Sequence, residues 1–202
     1  MDEDGRAHTT GYIPIRSDTT ELNADWYAVT ADTEISDRIT CNGNVHLILF
    51  DGATLTAPEG VAVNDNDRLT VYGQAVGNGT LEITGSGSDY NAGLGGDESC
   101  AGGVITINSG TVHVNIDNNR CFAAAIGGGE NGEGFVYING GTVTAYNGSG
   151  LGAGIGGSDR HSGYVVIRGG NVTASSIGGG ERGGGSTMLS WTNLSVRVKK
   201  LA

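Results

Sequence analysis

One phrase constrains this chain more than any other: a bulky apolar residue followed by two or three glycines, written four times between Ala92 and Gly180. It reads Leu94-Gly95-Gly96, Ile126-Gly127-Gly128-Gly129, Ile155-Gly156-Gly157 and Ile177-Gly178-Gly179-Gly180. After each of the first three comes a β-branched run and then a second marker. The runs are Val104-Ile105-Thr106-Ile107, Val136-Tyr137-Ile138 and Val165-Val166-Ile167; the markers are Gly110-Thr111-Val112, Gly141-Thr142-Val143 and Gly170-Asn171-Val172. Self-similarity at a period of a few tens of residues is the mark of a solenoid, because each repeat buries its apolar face only against the next one. The chain is therefore expected to be all-β, a parallel β-solenoid.

Aligned through the marker, Thr54, Thr80, Thr111, Thr142 and Asn171 become equivalent, at separations of 26, 31, 31 and 29 residues. Alternation at period two then picks out three short strands per coil. The first is expected to point Ile48 and Phe50, Ile105 and Ile107, Val136 and Ile138, and Val165 and Ile167 inward. The second points Leu55 and Ala57, Leu81 and Ile83, Val112 and Val114, Val143 and Ala145, and Val172 and Ala174 the same way. The third adds Val61 and Val63, Ala92 and Leu94, Ala124 and Ile126, and Ala153 and Ile155. Glycine at the corners supplies the positive φ that tight corners require. Residues 1–24 lack periodicity and are expected to be a tag or linker, 25–185 the solenoid, and 186–202 a C-terminal strand or cap. Trp26 and Trp191 are expected to cover the two open ends. The corners between second and third strands vary in length from coil to coil, which places them along one edge, and insertions on one edge often mark a binding face.

Composition supports this reading and narrows the partners. There are 38 glycines but only 2 prolines, which excludes collagen. The formal charge is −11, with 17 acids against 4 bases in residues 1–101 and 5 against 7 in residues 102–202. Nucleic acid is therefore excluded as an expected partner. No apolar run reaches membrane-spanning length, so no membrane insertion is expected. The start Met1-Asp2-Glu3-Asp4 is opposite in charge to a signal peptide, so the protein is either cytoplasmic or secreted on a signal lying outside this stretch. Cys41, Cys100 and Cys121 fit no zinc spacing and are expected to be inert core thiols.

Three constellations could carry chemistry. An acid lies four residues beyond the third-strand residue of every coil: Asp67, Glu98, Glu130, Asp159 and Glu181. Stacked about 4.8 Å apart, such carboxylates repel unless they splay into water, pair with Arg160 and Arg182, or hold a hard cation, for which Ca²⁺ is the candidate. Outward on the second strand are Thr56, Glu82, His113, Thr144 and Thr173. A regular threonine array can order water, as on ice-binding solenoids, but Glu82 and His113 interrupt it. Exposed aromatics form the third group: Tyr90, Tyr146, Tyr137 and Tyr164 are the candidate ligand-binding residues, with Phe135 equivalent to Tyr164. An aromatic face beside Asn, Asp and Ser offers a sugar ring an apolar plane and hydrogen-bonding edges. Catalysis has little to draw on. No lysine lies in the coils, Arg68, Arg120 and Arg168 are among the coil arginines away from the acid column, and His46, His113 and His161 make no triad. A hydrolase would have to use Asp65, Asp67 and Glu98.

The wording Trp26-Tyr27-Ala28-Val29, Asn44-Val45-His46-Leu47-Ile48-Leu49 with Asp51-Gly52-Ala53-Thr54-Leu55, and Leu69-Thr70-Val71-Tyr72-Gly73-Gln74 occurs in this order beside the Gly-Ala-Gly-Ile-Gly-Gly and Ile-Asn-Gly-Gly-Thr-Val phrases. It resembles the Gly-rich repeat domain, loosely described as carbohydrate-binding, of large surface proteins from anaerobic Gram-positive bacteria, over about Trp26 to Gly185. That resemblance implies a right-handed parallel β-helix of three strands per coil, secreted or at the cell surface within a larger multi-domain chain. It implies a glycan or other cell-surface ligand and no catalytic motif. The expected function is thus a non-catalytic binding or adhesion module, with a polysaccharide-degrading enzyme and a structural spacer as alternatives.

Overall fold

The computed structural model describes residues 11–116, 121–148, 150–189 and 194–198. They form a right-handed parallel β-helix in which the chain visits three sheets in turn, coil after coil, with no helix among the described residues. Sheet 1 stacks eight strands: Ile13–Pro14, Trp26–Val29, Asn44–Leu49, Arg68–Gly73, Val104–Ile107, Gly134–Ile138, Gly163–Ile167 and Gly185–Leu189. Sheet 2 stacks Thr33–Glu34, Thr54–Thr56, Thr80–Ile83, Thr111–Ile116, Thr142–Asn147, Gly170–Ala174 and Leu194–Val198. Sheet 3 stacks Glu21–Asn23, Ile39–Asn42, Val61–Val63, Leu94–Gly95, Ile126–Gly127, Ile155–Gly156 and Ile177–Gly178.

The register places like residues over like. Thr54, Thr80, Thr111, Thr142 and Asn171 form one column of sheet 2. The expected inward residues of the second and third strands are buried in every coil. Ile105, Ile107, Val136, Ile138, Val165 and Ile167 are buried beneath sheet 1. Each such side chain contributes about 1.5–3 kcal/mol by leaving water, which is how a glycine-rich backbone meets its entropy cost. The repeated Leu/Ile-Gly phrase has a steric cause. Gly95, Gly127 and Gly156 have φ of 142°, 136° and 134°, a region closed to L side chains. A Cβ on any of them would also run into the carbonyl oxygen of the next coil's glycine, Gly127, Gly156 or Gly178. Successive coils approach too closely there for any other residue.

The structure departs from the sequence reading in four places. Ile48 and Phe50 do not face inward; Val45, Leu47 and Leu49 do, with Leu47 paired to Val71 in register. From Leu47 to Thr54 is seven residues, against four from Ile107 to Thr111 and from Ile138 to Thr142, so counting back from Thr54 shifts the strand by three and flips it. The coils also begin before residue 25, whereas the C-terminal stretch expected to form a strand or cap does add strands to two sheets. Ile13–Pro14 and Glu21–Asn23 pair with Trp26–Val29 and Ile39–Asn42, while Gly185–Leu189 and Leu194–Val198 extend sheets 1 and 2. Trp26 covers no core end. It lies on the outer face of sheet 1, stacked on His46 at 4.2 Å. Finally, Val61 and not Val63 pairs with Leu94. Trp191 and Arg120 lie outside the described residues.

Candidate functional site

The edge between sheets 2 and 3 carries a cleft of about 330 Å³ lined by Pro58, Glu59, Thr84, Gly85, Ser86, Gly87, Ser88, Asp89 and Ile116. These residues come from the same corner of three successive coils, an edge where corner lengths vary. Ser86 is buried and its Oγ donates to Ser88 O at 2.7 Å, which folds the wall back on itself. At the rim, the Phe122 amide donates to Asp89 O at 3.0 Å. That bond brings Phe122 beside Tyr90, and the two rings stack with centroids 5.9 Å apart and planes 12° apart. The lining is hydroxyl, carboxylate and backbone carbonyl, with Pro58 and Ile116 as apolar patches, a surface suited to a polyhydroxylated ligand.

Arg38 holds this wall in place, a role that its position before Ile39 does not announce in the sequence. Its Nη1 donates to Glu59 O at 2.8 Å and Ser86 O at 3.2 Å, and its Nη2 to Ala92 O at 2.9 Å. Its Nε donates to Asp97 Oδ1 at 2.7 Å, and Asp97 Oδ2 accepts from Asn64 Nδ2 at 2.9 Å. Burial pulls the guanidinium below its ordinary pKa, and the Asp97 charge opposes that pull. The side chain is 15% exposed and runs from the corner before sheet 3 to the corner after it, clamping three coils.

The four tyrosines singled out from the sequence separate into different places. Tyr90 stands at the rim of the cleft. Tyr146 pairs with Asn115 in sheet 2 and is half-buried. Tyr137 and Tyr164 lie on the outer face of sheet 1, where Phe135 and Tyr164 stack at 5.2 Å with planes 7° apart. On the same face Arg168 sits over the Tyr137 ring at 5.9 Å. Further toward the N-terminus, Trp26, His46 and Tyr72 cluster there, with Trp26 and Tyr72 5.2 Å apart. In each stacked pair the rings cover one face of each other, so only the outer face of a pair remains for a ligand.

The acid column is only partly a column. Because Val61 is the partner of Leu94, Asp67 falls at the start of sheet 1, where its Oδ1 accepts from the Gly43 amide at 2.7 Å. Glu98, Glu130, Asp159 and Glu181 keep equivalent places, since Leu94, Ile126, Ile155 and Ile177 are in register. Asp159 is paired: Arg182 Nη2 and Nε donate to its two oxygens at 2.6 and 3.2 Å, with Arg160 Nε 3.6 Å away. Glu98 is exposed and Glu130 half-exposed. Among the described residues no three His, Cys, Asp or Glu side chains are grouped so as to hold a metal ion. On the outer side of sheet 2, Glu82 and His113 are neighbours in register and touch at 3.3 Å.

A family model described as "Beta helix repeat" matches residues 105–130, 136–159 and 165–181. Over these spans the chain is similar to that family's repeat, and its fold is a parallel β-helix. Each matched span of this β-helix opens on an inward residue of sheet 1 (Ile105, Val136 or Val165) and closes on a corner acid (Glu130, Asp159 or Glu181). Neither the curated proteins nor the solved structures include a match to the β-helix. The carboxylates that a hydrolase would have to use, Asp65, Asp67 and Glu98, lie on the corner after sheet 3 and do not line the cleft before it. The cysteines of the β-helix are free. Cys41 and Cys121 are buried, and desolvation pushes their thiols up to about 12 and about 11, whereas Cys100 is half-exposed.

Proposed function

We propose that this β-helix is a non-catalytic glycan-binding module, displayed outside the cell as part of a larger chain, and that a saccharide sits in the cleft between sheets 2 and 3. The observation that carries the reading is a polar cleft with a stacked aromatic pair at its rim. It lies on an edge where the corner changes from coil to coil. Ser88, Asp89 and Glu59 supply acceptors and donors for sugar hydroxyls, and the open face of the Tyr90–Phe122 pair supplies the apolar plane. Arg38 keeps the wall in shape without ligand, so little ordering entropy opposes binding.

A glycan array followed by calorimetry on the best ligand tests this. Tyr90→Ala and Asp89→Asn are each expected to weaken binding about tenfold or more, while Tyr164→Ala, on the outer face of sheet 1, leaves binding in the cleft unchanged. Binding indifferent to Tyr90 would remove the cleft as the site. Two carboxylates, Glu59 and Asp89, line the same cleft, and that favours a hydrolase as the second reading. Release of new reducing ends that disappears in Glu59→Gln would establish it, and an array with no ligand at all would leave a spacer.

A further inference from the structure

The outer face of sheet 1 carries a second constellation, on the C-terminal half of the molecule and away from the cleft. Three outward columns run along the coils there. Phe135 and Tyr164 stack in the first column; Tyr137 is in the second, paired with Val166. The third holds Asn108, Asn139 and Arg168 at the ends of their strands. Asn139 Nδ2 donates to Asn108 Oδ1 at 2.8 Å, and Arg168 Nη1 donates to Asn139 Oδ1 at 3.0 Å. The Arg168 guanidinium leans over the Tyr137 ring, 5.9 Å from its centroid, so its charge is carried back toward the aromatic pair. Columns are about 7 Å apart along a strand, so ring pair and cation are within reach of one small ligand.

This arginine is exposed and pairs with no carboxylate among the described residues, and no described residue accepts from its Nε or Nη2. Its amide and ring contacts fix its place, its outer edge meets no acceptor among the described residues, and that edge matches the two oxygens of a carboxylate. We propose that this face is a binding site for saccharides bearing an isolated carboxylate, a hexuronic or sialic acid, with the carboxylate on Arg168 and the sugar ring against Phe135 and Tyr164. A dense polyanion is disfavoured by the net charge of −11. An isolated carboxylate meets only the C-terminal half, where bases outnumber acids 7 to 5. An acidic peptide is the poorer fit, because the strands Gly134–Ile138 and Gly163–Ile167 are paired on both sides and offer no backbone edge to extend.

The test is calorimetric titration of the whole chain with digalacturonate, a neutral digalactoside and an acetylated Asp-containing dipeptide, with amide shifts mapping the contact. Digalacturonate is expected to bind at least about tenfold more tightly than the neutral disaccharide. Its shifts are expected to fall on Phe135, Tyr137 and Tyr164 and not on Ser88–Tyr90, which separates this site from the cleft. Arg168→Gln is expected to bring digalacturonate down to the level of the neutral sugar, Arg168→Lys to restore part of the difference, and Tyr164→Ser to weaken both ligands. Should Arg168→Gln fail to fold, Asn139→Ala, which frees the guanidinium, is expected to cost about threefold or more. Equal affinity for charged and neutral sugar, equal affinity for the dipeptide, or shifts confined to the cleft would each overturn the proposal.

Discussion

At the scale of the residue, Gly127 is a sharp test of how the coils meet. Its φ of 136° and the carbonyl of Gly156 beneath it leave no room for a Cβ. Gly127→Ala is expected to lower stability by about 3 kcal/mol or more. Gly184→Ala, where an added Cβ would meet only Ser162 Oγ at 3.7 Å, should cost under about 0.5 kcal/mol; urea titrations of the pair measure the contrast. His46 gives a pH signature. Packed against Trp26 and near Tyr72, it is desolvated, which lowers its pKa in the fold. The unfolded chain then binds the proton more readily, so stability is full above the ordinary histidine pKa of about 6.5 and falls as pH drops through it. His46→Phe, which keeps the stack, is expected to flatten that dependence in melting curves taken across pH 5–8.

Between residue and molecule stand the corners, and these were the least legible part of the sequence. Sheets 2 and 3 could be read because the Gly-Thr-Val and Ile-Gly-Gly phrases mark them in every coil. The strand Asn44–Leu49 reads out of register because three more residues separate Leu47 from Thr54 than separate Ile107 from Thr111, and no local signal records that. Ile13–Pro14 and Glu21–Asn23 are too short to show a period at all. The tyrosine candidates can be found by type, but the cleft that Tyr90 adjoins is not legible, being assembled from residues 26–58 positions apart such as Pro58, Thr84 and Ile116. Arg38 escaped notice for the same reason: its partners Glu59, Ser86, Ala92 and Asp97 lie 21, 48, 54 and 59 residues away. Its removal is the test of this level. Arg38→Met leaves the Asp97 carboxylate and three carbonyls without their donor, and is expected to cost about 3 kcal/mol by thermal or urea unfolding. Loss of any cleft ligand should accompany it.

For the whole molecule, each coil packs only on its neighbours, so stability is a chain of nearest-neighbour terms. Amide exchange should therefore be slowest in the middle coils, at Ile105, Ile107, Val112 and Val114, and fastest at Ile13 and in Leu194–Val198, where one side of the strand has no partner among the described residues. Uniform protection along the axis would mean that the coils open together. The −11 charge is distributed along the same axis, acidic in the early coils and near balance in the later ones. The two proposed surfaces thus sit in different fields on one rigid body.

The exact superposition of Thr111 on Thr142, 31 residues apart, has a further bearing on how such a protein can change. Copying that interval once within the gene would insert a complete turn whose inner and outer ridges already match those on either side. Inserting a single amino acid within a strand turns that strand inside out. Heritable change in this architecture therefore comes in steps of about 4.8 Å of axial length, and lineages can adjust the reach of the rod while leaving its recognition surfaces intact.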